Sequence, residues 1–407
     1  MHLERSRSAL AYFQTGTGTG IPTTSSLAYA PAMRLSDPAS LLAVTLLLLA
    51  TTAAADPPAA HAHSSAGPPT ATPIARDDEL HLKNIVQLTA GGENAEAYFD
   101  QSGQELILQS KRGDAKCDAI FRMGADGKNV RQVSPAMKDG GGRTTCSFIR
   151  PDGNILYSST HGHGAGCLDE PDRSKGYVWK IYPQMDLWVA DAQGNNAKVL
   201  FQSNGYDAEA TVCHKDGRIV FTSSKDGDLE LYVTDKDAAK GTRITRTPGY
   251  DGGAFFSEDC TKLVWRASRP SGAELAEYQA LLKEHLVRPS KLEIFVADID
   301  TNNVVSNVKQ VTNNGKANFA PYLHPKNDRV LWASNVGDPK GRDFDIYLMK
   351  LDAKTNEPTG PAQRVTTNPT FDGFPMFSPD GKKLVFSSNR HHTTDGETNV
   401  FIADWLD

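Results

Sequence analysis

Long hydrophobic runs are missing from this chain. A membrane helix needs roughly 18 uninterrupted apolar residues, and the most apolar stretch, LLAVTLLLLA at residues 41–50, falls short of it. A dominant charge is missing too: Lys and Arg number 43 against 49 Asp and Glu, a formal net charge of -6. With no cluster of basic residues to meet phosphates, nucleic acid is excluded as a partner. Cysteine is scarce, at five residues, and none of the spacings resembles CxxC or a zinc knuckle. Catalytic signatures are also lacking. There is no GxSxG elbow, HExxH pair or Walker loop, and the GTGTG at residues 16–20 has no strand before it.

What is present is globular material. The 407 residues are 39% hydrophobic and 23% charged, and 34 Gly with 23 Pro punctuate short apolar runs, as expected of many strands joined by turns. From Met33 the order of a basic start, an apolar core and Ala53-Ala54-Ala55 reads as a cleaved signal peptide over residues 33–55. Residues 1–32 then read as a non-native or untranslated extension, with Met33 the expected start. Residues 56–78, rich in Pro, Ala, Ser, Thr and His, read as a disordered linker. No cysteine stands at the cleavage site, so no lipid anchor is expected. Export permits disulfides, and the odd cysteine count leaves at least one thiol beside one or two bridges.

One unit recurs six times over residues 79–407. Its clearest copy is FDGFPMFSPDGKKLVFSSNR at residues 371–390; others start near Ala95, Thr144, Tyr206, Tyr250 and Asn318. A strand enters a tight turn such as Asp152-Gly153, Asp216-Gly217 or Asp380-Gly381, and a β-branched and aromatic strand follows. Third and fourth strands come next, so each unit of ~40 to 65 residues makes one propeller blade. The last unit stops at Trp405-Leu406-Asp407 without a fourth strand, while an orphan strand-like segment, residues 84–89, precedes the first. The expected fold is therefore all-β: a six-bladed β-propeller of four-stranded antiparallel blades, the last completed by an N-terminal strand. Two units carry insertions that should rim one mouth of the channel. Residues 161–184 read as an irregular loop, and residues 273–286 as an amphipathic helix with Leu275, Tyr278, Leu281, Leu282 and Leu286 on its apolar face.

Ser378-Pro379-Asp380-Gly381 followed by Ser388-Asn389-Arg390, and in part Arg150-Pro151-Asp152-Gly153, resemble the TolB-like, PD40 family of propeller repeats. The resemblance covers residues 84–405. It implies a periplasmic or secreted scaffold that meets partners in the cell envelope, with a Tol-Pal role in particular not carried over. Similar repeats form the propeller halves of prolyl-oligopeptidase-type peptidases and the scaffold of oligogalacturonate lyases. His214-Lys215-Asp216-Gly217, Glu258-Asp259-Cys260 and Pro325-Lys326-Asn327 depart from the motif, and Cys213 and Cys260 stand where it has Ser and Gly.

The candidate site residues follow from the repeat. Asp207, Asp251 and Asp372 directly precede inner strands, and pseudo-rotational symmetry should bring them, with Glu209, together at the channel mouth. Convergent carboxylates suit a hard cation such as calcium or a basic peptide; the alternative is that each Asp caps its own turn. Arg266, Arg269 and Arg390 either neutralise these carboxylates, hold an anionic ligand, or form interblade salt bridges. His161 and His163, near Cys167, are a transition-metal candidate against a plain surface-loop or disulfide setting. The leading expectation is an exported, monomeric, non-enzymatic module that requires no cofactor and recognises a protein or peptide of the cell envelope. The alternative is a hydrolase or lyase acting on an exported polymer through the channel carboxylates, His161 or His163, and a divalent metal.

Overall fold

A computed structural model describes residues 78–135, 142–164 and 166–407, so the leader and almost all of the linker lie outside the described residues. Six four-stranded antiparallel sheets follow one another along the chain. Their inner strands are Glu93–Phe99, Thr144–Ile149, Asp207–Val212, Asp251–Phe256, Asn318–Leu323 and Asp372–Phe377, for blades 1 to 6. Consecutive inner strands pack side by side, and blade 6 meets blade 1, which closes the ring. Because neighbouring blades cover both faces, nearly every inner-strand residue is buried and polarity does not alternate there. Alternation returns only at the rim, where the outer strand of blade 4, Val305–Gln310, is half-buried and exposed in turn.

The seam is closed as the sequence expects. Leu82–Gln87 pairs antiparallel with Asn399–Trp405, with Leu82 opposite Trp405 and Gln87 opposite Phe401. Ile85 is fully buried there, so the borrowed strand contributes to the core as well as covering an edge. Glu79 extends this tie, since it accepts both guanidinium nitrogens of Arg390, and Arg390 also donates to Asp372.

The departures from the repeat motif have a physical reason. Cys260 and Asn327 take the left-handed backbone position that Gly381 fills in blade 6, with φ of 59° and 57° against 70°. Cys260 then reaches Cys213, and the resulting disulfide, with Cα atoms 5.7 Å apart, joins the turns of blades 3 and 4. A second disulfide, Cys117 to Cys167, ties blade 1 to the first insertion, and Cys146 is the buried free cysteine.

The two insertions do more than line the mouth. Residues 161–184 are not wholly irregular: Trp179–Lys180 is a short strand that pairs with Leu286–Val287 from the second insertion. The expected helix forms at Gly272–Lys283 and buries Tyr278 and Leu281, while Leu286 leaves it for the strand pair. Among the described residues no helix is long and apolar enough to cross a membrane.

Candidate functional site

Each inner strand carries a β-bulge at the same place, shown by a register shift between Ala95 and Tyr98, Thr145 and Phe148, Ala208 and Thr211, Gly252 and Phe255, Phe319 and Tyr322, and Gly373 and Met376. The bulged residues Glu96, Cys146, Glu209, Gly253, Ala320 and Phe374 all have positive φ. All six line one cavity on the ring axis, together with Tyr98, Phe255 and Arg266. A bulge adds one residue to one side of a strand pair and re-aims its side chain. Here it turns one residue per blade towards the axis.

The axial cavity is nearly full. About 20 Å³ remains, room for roughly one water. Arg266 of blade 4 donates through Nη2 to Glu209 of blade 3 at 2.8 Å and to the Tyr250 hydroxyl at 2.6 Å. Glu209 also accepts from the Tyr250 hydroxyl at 2.6 Å, the Thr222 hydroxyl at 3.0 Å and the Gly253 amide at 2.8 Å. Burial acts to lower the Arg266 pKa, but Glu209 and Tyr250 outweigh it and push the pKa up, so the guanidinium stays charged. Burial first, then the charge on Glu96, raises the Cys146 thiol well above its ordinary value. A thiol held protonated is a weak nucleophile and a weak ligand. Over this cluster lies the paired insertion: the Arg266 guanidinium stands 5.6 Å from the Trp179 ring centre, and Trp179 meets Tyr250 edge-on at 6.2 Å. Tyr278 of the helix donates to Asp228 at 2.5 Å and holds the roof to blade 3.

The structure does not gather the three sequence-predicted aspartates at the axis. Of that set only Glu209 lines the axial cavity. Asp207 sits with Ser203 and Ser223, Asp251 accepts from Trp265 and from both Nη atoms of Arg269, and Asp372 accepts from Arg390. The reason is strand register. These residues start the inner strands two positions before the bulge, where Asp251 and Asp372 pair within their own blades and Asp207 is buried beside the two serines. Burial lifts all three carboxyls to about 6, against the lowering by their partners. Arg266, Arg269 and Arg390 each pair with a carboxylate; the Arg266 pair is interblade, whereas Arg269–Asp251 and Arg390–Asp372 lie within one blade.

His161 and His163 turn apart. His161 Nδ1 lies 2.8 Å from the Ser159 hydroxyl and its ring packs on Trp188, while His163 Nε2 lies 2.8 Å from Asp186. Cys167 is spent in its disulfide. Among the described residues, Cys213, Asp216 and Cys260 stand close enough to share an ion, but two of these three form the other disulfide.

A second concavity opens on the same face as the roof, built from the loops of blades 5 and 6. It measures about 330 Å³ and is lined by Asp338, Lys340, Asp343, Phe371, Asn389 and His392, among others. Its floor is continuous with the axis, because Phe371 packs on the axial Phe374 at 6.0 Å and on Phe344 at 6.3 Å. Sequence reasoning missed this crevice and missed Glu96 and Cys146. The axial pair was findable, since both occupy the place in the inner strand, two residues before Tyr98 and Phe148, that Glu209 occupies before Thr211 in its own repeat; the crevice lies in loops that the repeat pattern does not constrain.

Six blades closed by an N-terminal strand, each with its tight turn between the inner and the second strand, decide the architecture. The fold is a six-bladed β-propeller. The propeller is similar to TolB from Acinetobacter baumannii, with 17% identity over 75% of this chain and 65% of that one, at a TM-score of 0.48. The chain thus spans about two thirds of that TolB's length. It is also similar to a putative TolB from Agrobacterium tumefaciens, with 14% identity, coverage of 78% and 91%, and a TM-score of 0.48. An oligogalacturonate lyase from Vibrio parahaemolyticus shares 13% identity over 79% of this chain and 93% of its own, at a TM-score of 0.43. No protein-family model and no curated protein matches the chain.

Proposed function

We propose that this propeller is an exported binding module that takes a segment of a protein or peptide partner on its roofed face, in the crevice between blades 5 and 6. The observation that carries the reading is the contrast between its two concavities. The axis keeps only about 20 Å³ behind the Trp179 roof, whereas the crevice offers about 330 Å³ of open, polar-walled, aromatic-floored space. Ligand sites are concave, partly apolar and set with a few polar groups, and span ~300 to 1,000 Å³. The carboxylates on which polymer cleavage would draw are engaged: Glu209 with Arg266, Asp251 with Arg269, Asp372 with Arg390. His161 stands with Ser159 and Trp188, away from them. Export is supported by the order of basic start, apolar core and small residues at 33–55.

Photocrosslinking on the full chain tests this. A photoreactive residue at Lys340, in the crevice, is compared with one at Lys382, in the inner turn of blade 6 on the opposite face. Specific adducts from Lys340 and none from Lys382 are expected in an exported fraction. Adducts from Lys382 alone, or equal adducts from both, would overturn the proposed face.

A further inference from the structure

We infer that the crevice between blades 5 and 6 recognises a basic side chain of a peptide, with Asp343 as the anion that receives it. This rests on the binding reading above and adds the chemistry of the guest. Three acceptors meet there. Asp343 is half-buried; its carboxylate accepts from the Phe344 amide, and the Arg364 guanidinium that acts on it is spent on Asp345 at 2.7 Å. Asn389 is 3% exposed; its amide nitrogen donates to the Glu397 carbonyl and the Thr398 hydroxyl, which fixes the orientation of the amide. Its Oδ1 is buried and accepts nothing. His392 places Nδ1 2.8 Å from the Asn389 carbonyl oxygen, so that nitrogen carries the proton and the neutral ring's Nε2 is an acceptor.

An orphaned buried acceptor costs roughly 1 to 3 kcal/mol, and a donor-rich guest would remove that cost. A guanidinium or ammonium supplies several N–H donors and a positive charge, and its hydrocarbon stem can lie along apolar surface such as Phe371. Asp343 feels both Asp372 and Asp338, and the Asp338 carboxylate is already turned to the amides of Lys340, Arg342 and Asp343. Lys340 and Arg342 stand in the same wall. Cations there disfavour a bare metal ion and favour a guest that also brings acceptors, as the carbonyl groups of a peptide do.

The probe is an acetylated, amidated Gly-Arg-Gly tripeptide, compared with the same peptide carrying citrulline, which keeps the shape and loses the charge. Both are titrated into the full chain and followed by NMR chemical shifts, then repeated on Asp343→Asn. The arginine peptide is expected to bind at least ~10-fold more tightly than the citrulline peptide, about 1.4 kcal/mol, with the advantage lost in Asp343→Asn. Equal binding of the two peptides, or an arginine preference that survives in Asp343→Asn, overturns the inference. If Lys340 adducts form while the peptides bind equally, the binding reading stands and this one alone falls.

Discussion

A Cβ on Gly253 would stand 1.7 Å from Nη1 of Arg266. The guanidinium occupies the space that any side chain at 253 would need, and the Gly253 backbone sits at φ +57°, where other residues are strained. Gly253→Ala should therefore displace Arg266 from Glu209. Breaking a buried pair costs about 3 to 5 kcal/mol, so the urea midpoint is expected to fall by that equivalent. A midpoint unchanged from wild type would show that the pair is not held by this fit.

The same pair makes a non-additive prediction. Arg266→Met alone leaves Glu209, 1% exposed, without its counter-charge. Glu209→Gln together with Arg266→Met removes both charges, and the double variant should be more stable than Arg266→Met alone by about 1 kcal/mol or more. Chemical denaturation of the three proteins measures it.

Asp207 predicts an inverted pH dependence. Burial raises its folded pKa from 3.8 to about 6, so the native state holds the proton more firmly than the unfolded chain, and its contribution to stability falls as pH rises through that window. Asp207→Asn should match wild type near about pH 4 and exceed it by about 1 to 3 kcal/mol above about pH 7. Thermal unfolding at the two pH values is the measurement; an equal difference at both would contradict it.

Cysteine chemistry gives a count. With Cys117–Cys167 and Cys213–Cys260 bonded, Cys146 alone should react with a thiol reagent, and only after denaturation, because it is buried. Replacing both Cys213 and Cys260 by Ser opens a link across 47 residues and should cost about 2 to 4 kcal/mol.

The seam offers the last test. Ile85 is fully buried in the borrowed strand, and Ile85→Ala should cost about 2 to 5 kcal/mol. Hydrogen exchange should speed up first in Leu82–Gln87 and Asn399–Trp405, which pair there. Uniform acceleration across all blades would mean that the closing strand is not a separable weak point.

Much of the ring was legible from residues alone. The number of blades, the N-terminal closure and the motif turns repeat at short range, where Gly381 and the strand pattern act on their own neighbours. What faces the axis was not legible in the same way. One bulge residue per inner strand decides that Glu209 points inward while Asp207, two positions earlier, stays within its blade, and a shift of one residue exchanges the faces of a strand. The partner of Cys213, the strand pair that brings Trp179 over Arg266, and the meeting of Asp343 with Asn389 and His392 depend on segments far apart in the chain. Only the closing of the ring sets those distances, so only the tertiary structure decided them.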